Sequence, residues 1–154
     1  MAEPLRLRLP VADATDRLGA RLAAEVAPGD ILLLEGGIGA GKTHFARALI
    51  RALGVTEEVP SPTFTLVQTY LTDRAEVWHA DLYRLGDPAE VEELGLAEAM
   101  GRAVTLIEWP DRLGARPRGA LTLAFEPDGE GRMVTLRADG DRWAPVLAAL
   151  EATP

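Results

Sequence analysis

Ile31-Leu32-Leu33-Leu34-Glu35, running straight into Gly36-Gly37-Ile38-Gly39-Ala40-Gly41-Lys42-Thr43, is the stretch that decides how this chain folds. Four consecutive apolar residues, with no helical spacing of polar positions, predict a strand buried on both faces. The chain then turns through glycines into residues 43–53, where Phe45, Ala46, Leu49, Ile50 and Leu53 recur at helical spacing. Gly36, Gly41, Lys42 and Thr43 satisfy G-x-x-x-x-G-K-[ST], the phosphate-loop pattern, in the strand-then-helix context that pattern requires. The residue types follow from the chemistry. Glycines let successive backbone N–H groups turn inward around phosphate oxygens, and the helix N-terminus adds partial positive charge. Lys42 is expected to reach the β- and γ-phosphates of a nucleotide, and the Thr43 hydroxyl to bind Mg²⁺.

Of the sixteen basic residues fifteen are arginine, and the only lysine is Lys42. A planar, forked guanidinium does not replace a compact ammonium inside a phosphate cradle, so this exception marks a specific requirement. It also bears on the base. Guanine-specific P-loop proteins read their base with an Asn/Thr-Lys-x-Asp motif, and no second lysine exists to build one, which favours ATP.

With 154 residues the chain is expected to form a single domain over 1–154, large enough for a core without metal or disulfide staples. Cysteine is absent, so disulfides, thiolate zinc sites and cysteine nucleophiles are excluded. No apolar run approaches the ~20 residues of a membrane span. The Met1-Ala-Glu-Pro4 start lacks the basic and apolar regions of a signal peptide, so the expected location is the cytoplasm. The net charge of −8 disfavours a direct nucleic-acid binder, because phosphate neutralisation by a basic field supplies most of such affinity.

Around the central stretch, Leu5–Leu9 alternates apolar and basic, predicting a strand with one wet face. Asp13 is the expected N-cap of a helix over 14–26. Prolines keep residues 57–63 out of a helix. Strands are expected over 64–71 and 76–83, a helix starting at Asp87-Pro88, and a short helix over 97–102. Val104–Ile107 predicts another buried strand, closed by Trp109-Pro110. Alternating patterns around Leu121–Phe125 and Met133–Arg137 predict a hairpin, and residues 139–152 a closing helix. The fold expected is a three-layer α/β P-loop domain with a mixed sheet, parallel at its centre with antiparallel additions.

Nucleotide hydrolysis needs more than a cradle. It also needs a metal ligand, a group that orients water and compensation of charge at the γ-phosphate. Glu108, at the C-terminal end of the 104–107 strand, has the placement of a Walker B acid, although it is Glu rather than Asp; strand C-termini are where open α/β sheets bind ligands. Asp81 ends another strand and is a second metal-shell acid, the water-orienting group, a turn cap or a partner of Arg84. Thr63, in the proline-stiffened Ser61-Pro62-Thr63 loop, resembles the switch threonines that contact Mg²⁺ only while the γ-phosphate is present. His79 is expected in the core or behind a ligand rather than as a base. His44 follows the loop with no chemistry of its own and is counted among the residues lining the nucleotide.

Gly36–Thr43, Ser-Pro-Thr-Phe-Thr at 61–65, His-Ala-Asp-Leu-Tyr-Arg-Leu at 79–85 and Glu-Trp-Pro at 108–110 together resemble the TsaE family, formerly YjeE. These are small bacterial ATPases of tRNA threonylcarbamoyladenosine biosynthesis, and the four blocks occur in the family's order and spacing over most of the chain. The resemblance implies Mg²⁺ held by Thr43 and Glu108, with Asp81 and Thr63 near the γ-phosphate. It places the base between Val11–Ala12 and the late hairpin near Arg132. It implies action with a TsaD–TsaB pair, so that tRNA is engaged only indirectly. One departure is visible: the family has an acid after the first loop glycine, where this chain has Gly37. Two other classes stay open at this level. One is a small-molecule or nucleoside kinase, for which Arg112, Arg116 and Arg118 would form the lid. The other is a nucleotide-dependent binding switch with little turnover.

Overall fold

The computed structural model describes residues 3–60, 66–85, 89–90 and 94–152. Its organising element is β2 (Ile31–Glu35), whose first four residues are all buried. The strand is sandwiched as its composition requires. Leu32 and Leu34 face one hydrophobic cluster, Ile31 and Leu33 the other. Each leucine so buried contributes about 1.5–3 kcal/mol relative to exposure.

Six more strands flank it: β1 (Leu5–Leu9), β3 (Val67–Leu71), β4 (Glu76–Asp81), β5 (Val104–Glu108), β6 (Leu121–Asp128) and β7 (Gly131–Ala138). They form one sheet of order β1-β7-β6-β2-β5-β4-β3. The pairs β6–β2, β2–β5 and β5–β4 are parallel, and β1, β7 and β3 are added antiparallel at the edges. The expected parallel centre with antiparallel additions is therefore the observed sheet. Helices α1 (Ala12–Ala23) and α2 (Lys42–Ala52) cover one face with α4 (Ala144–Ala152) beside them, and α3 (Leu96–Met100) packs into the cluster on the other. A 3₁₀ turn at Pro110–Leu113 follows β5.

Several boundaries differ from the sequence expectation. Helix α1 starts at Ala12, with Val11 extended at its N-cap (φ −137°, ψ 163°) and no side-chain cap, so Asp13 lies in the first turn. There its carboxylate still complements the helix dipole. The helix stops at Ala23 rather than at residue 26, and Val26 remains buried after it. Arg74, from the turn between β3 and β4, donates to the carbonyls of Ala23 and Val26 (the latter 2.7 Å), satisfying acceptors that the ended helix leaves open. The second strand of that hairpin ends at Asp81 rather than 83, because its carboxylate accepts the Tyr83 N–H (3.0 Å) and turns the chain. The closing helix begins at Ala144, not 139: Asp139 is engaged with the Gly119 N–H (2.6 Å), and Trp143 is fully buried with its indole N–H on the Gly119 carbonyl (2.9 Å). The β6–β7 turn leaves only Gly129 and Glu130 between the paired residues Asp128 and Gly131. The expected strand start at 64–65 and helix start at Asp87-Pro88 lie outside the described residues. No described helix is long and apolar enough to cross a membrane.

Candidate nucleotide site

The loop after β2 emerges between two parallel neighbours, β5 and β6, at the C-terminal edge of the sheet. Gly36 has φ +138°, and a Cβ there would lie 2.6 Å from the Phe125 carbonyl oxygen, so conformation and space both demand glycine. Gly41, at φ +113°, swings the chain into α2, whose N-terminus has no side-chain cap. The first N–H groups of that helix are thereby left for an anionic ligand.

Lys42 is 5 % exposed, and its ammonium donates to the carbonyls of Gly36 (2.6 Å) and Gly37 (2.9 Å). The Trp109 ring covers it at 4.3 Å, a cation–π contact. Burial pulls the Lys42 ammonium below its ordinary pKa, against the opposing pull of the Glu108 and Asp81 carboxylates. The side chain is thus held over the loop, with its charge balanced by the two acids singled out from the sequence.

Those acids are neighbours because β4 and β5 run parallel in a register that pairs Asp81 with Glu108. Both are buried. The Thr43 hydroxyl is 3.1 Å from both Glu108 oxygens, so Thr43 and Glu108, 65 positions apart, meet across the α2–β5 boundary. A hydroxyl and a carboxylate side by side, next to a phosphate cradle, match the oxygen donors that Mg²⁺ takes from protein while phosphates and water complete its shell. Behind Glu108, His79 is fully buried, its Nε2 2.7 Å from Glu108 Oε2. His79 therefore orients the carboxylate from behind, the arrangement by which outer partners fix metal ligands.

A cavity of about 400 Å³ is lined by the loop from Ile38 to His44 together with Asp81, Glu108 and Arg132. Gly36 and Gly37 reach it only through their carbonyls on Lys42. A smaller cavity of about 240 Å³ adjoins it at Gly41 and His44 and is bounded by Val11, Ala12 and Arg132. The residues expected around the base are thus brought together beside the phosphate loop. Arg132 donates to the Gly39 carbonyl (3.0 Å), while its buried Nε has no hydrogen-bond partner among the described residues. His44 lines both cavities and turns its ring to Asp16 on α1 (2.8 Å). Thr63 lies outside the described residues.

Two aromatic residues at the cavity mouth carry more than the sequence indicated. Trp109 follows β5 directly and lines the cavity. It adopts a left-handed backbone (φ 60°, ψ 55°) that costs a non-glycine residue about 1–3 kcal/mol, and this turn is what lays its ring over Lys42. Tyr83 stands in the 79–85 block, which gives it no role of its own. It packs against Trp109 with ring centroids 4.7 Å apart.

A profile of the family described as "Threonylcarbamoyl adenosine biosynthesis protein TsaE" matches residues 9–134. The chain belongs to the TsaE family. Among TsaE relatives, the tRNA threonylcarbamoyladenosine biosynthesis protein TsaE of Bacillus subtilis is 37 % identical over 134 residues, covering 85 % of this chain and 84 % of the relative. The Rickettsia felis protein of the same name is 45 % identical over 100 residues, covering 64 % of this chain and 58 % of the relative, so the match spans little more than half of that longer TsaE. The crystal structure of Bacillus subtilis YdiB superposes with a TM-score of 0.80 at 30 % identity, covering 99 % of this chain and 96 % of that one. The P-loop α/β fold and the TsaE resemblance read from the four sequence blocks are both borne out.

Proposed function

We propose that this protein binds ATP with Mg²⁺ and hydrolyses it in support of a TsaD–TsaB pair that forms threonylcarbamoyladenosine in tRNA, in the cytoplasm. The observation that carries the reading is the Thr43–Glu108 contact beside the buried Lys42 ammonium: metal donors and phosphate counter-charge are assembled at one point. The relatives' printed names supply the pathway.

In this reading Lys42 and the N–H groups at the start of α2 hold the phosphates. Thr43 and Glu108 would hold Mg²⁺, which supplies neutralisation of the charge that develops on the transferring phosphoryl group. His79 keeps Glu108 in place. Asp81, buried next to Glu108 and open to the cavity, accepts a hydrogen bond from the attacking water and so orients it. Thr63 is assigned to the γ-phosphate. Val11, Ala12 and Arg132 flank the adenine. The absence of any lysine beside Lys42 remains the argument against guanine.

Of the three arginines of the kinase reading's lid, one is engaged with the sheet. Arg116 reaches Glu35 (2.9 Å) on β2 and the Thr122 hydroxyl (3.2 Å) on β6. The test is phosphate release with and without TsaD and TsaB. Lys42→Ala and Glu108→Ala are expected to lose it in both settings, and wild-type rates in either variant would mean that the site is misassigned.

A further inference from the structure

Phosphoryl transfer gathers charge on the γ-phosphate oxygens, and an arginine placed there stabilises it beyond what a loop lysine and a metal supply. Among the described residues two arginines line the nucleotide cavity, Arg132 and Arg84. They stand at opposite ends of it. In the sheet, β7 and β4 lie two strands to either side of β2, about 10 Å each way. Arg132, near the start of β7, also borders the smaller cavity, on the side where the base is placed. Arg84 follows β4, on the side of Asp81 and Glu108.

A tight turn puts Arg84 there. Leu82 and Leu85 are buried in the hydrophobic cluster opposite α1 and α2. The Leu85 N–H closes the turn on the Leu82 carbonyl (3.0 Å), and the Leu82 N–H is bonded to the Glu108 carbonyl (3.1 Å). Tyr83 and Arg84 are the corner residues, both exposed and both lining the cavity. The Tyr83 N–H on the Asp81 carboxylate (3.0 Å) and its ring against Trp109 (4.7 Å) hold the corner in place.

We propose that Arg84 is a further catalytic residue, whose guanidinium donates to the γ-phosphate oxygens as their charge grows in the transition state. This rests on the ATP-hydrolysis reading and names the side chain that completes its charge compensation. In the step, the water oriented by Asp81 forms a bond from its oxygen to the γ-phosphorus while the bond from that phosphorus to the β–γ bridging oxygen breaks. The bridging oxygen leaves on ADP. One proton of the water stays on the inorganic phosphate and the other passes to solvent. Arg84 donates hydrogen bonds and gives up no proton. Its planar fork can span two phosphate oxygens, a geometry that a compact ammonium lacks. Asp81 and Arg84 also share one turn, so the acid that orients water and the cation that meets the developing charge are held on the same support. Arg132 does not serve in its place, since its guanidinium is bonded to the Gly39 carbonyl (3.0 Å) at the base end.

The experiment compares the full wild-type chain with Arg84→Ala and Arg84→Lys, all with magnesium. ADP is titrated alone and with aluminium fluoride, which mimics the phosphoryl group in transfer. Phosphate release is followed in single turnover, with and without TsaD and TsaB. Both variants are expected to melt with wild type and to bind ADP within about threefold of it, while phosphate release and the affinity for ADP with aluminium fluoride each fall by about 100-fold or more. Methylguanidinium is expected to restore part of the phosphate release of Arg84→Ala and to leave Arg84→Lys unchanged, which a merely structural arginine would not show. Phosphate release within about threefold of wild type in Arg84→Ala overturns this proposal and leaves the ATPase reading standing. A loss of ADP affinity that matches the loss of phosphate release in both variants does the same. A wild-type chain that binds ATP yet releases no phosphate, and gains nothing from aluminium fluoride with or without TsaD and TsaB, overturns the ATPase reading and this proposal with it.

Discussion

Replacing Lys42 by arginine separates charge from shape at the centre of the site. The ammonium sits 2.6 and 2.9 Å from two carbonyl oxygens, under an aromatic ring at 4.3 Å, with 5 % of the residue exposed. A guanidinium keeps the charge but is larger and planar, and it cannot converge on both carbonyls while staying beneath Trp109. Overpacking a filled site costs about 1–3 kcal/mol, and for a domain of this size each kcal/mol lowers Tm by roughly 2–4 °C. Lys42→Arg is therefore expected to melt about 6 °C below wild type. Displacing the phosphate-facing donor removes a charge-assisted hydrogen bond of about 1.5–3 kcal/mol, which corresponds to a rise in the ATP Kd of roughly 10- to 100-fold. The assay is a thermal melt without nucleotide together with a titration by a fluorescent ATP analogue. An arginine variant that melts with wild type and binds ATP within threefold of it would refute the steric reading of the single lysine.

Three further predictions test other contacts. Thr43→Val and Glu108→Gln should each remove the benefit of Mg²⁺ to nucleotide binding while leaving metal-free binding within about threefold, as read by titration with magnesium or with EDTA. Arg74→Ala leaves the carbonyls of Ala23 and Val26 without their donor, so a loss of about 1–2 kcal/mol is expected in denaturant unfolding. Tyr70 has a buried hydroxyl with no partner among the described residues, and burial, reinforced by Glu57, holds its pKa above the usual tyrosine value. The unfolded chain therefore gives up that proton first, and wild-type stability should fall as pH rises past about 10. Tyr70→Phe should match or exceed wild type at pH 7 and lose less stability at alkaline pH, as followed by urea midpoints across pH.

The loop from Gly36 to Thr43 and the strand before it were legible because their constraints are local. An all-apolar strand, a glycine turn and a helix start each depend on residues within a few positions of one another, and the lone lysine needs no neighbour to be noticed. Glu108 and Asp81 were legible as strand-end acids, since in parallel sheets that is where ligands lie. Helix and strand limits were less so. Where Asp139 and Arg74 bond to backbone groups 20 and about 50 positions away, the end of an element is set by a partner that no local pattern reveals.

By itself, then, the sequence determined the phosphate loop, the parallel centre, the family and the identities of the acids. Only the tertiary structure decided how they act together. The β4–β5 register puts Asp81 beside Glu108, the α2–β5 packing brings Thr43 onto Glu108, and the buried His79 is turned onto the same carboxylate. The left-handed turn at Trp109 closes an aromatic ring over Lys42. These are contacts between strands and helices distant in the chain, selected by the burial of two apolar clusters against one sheet, and no spacing along the sequence encodes them.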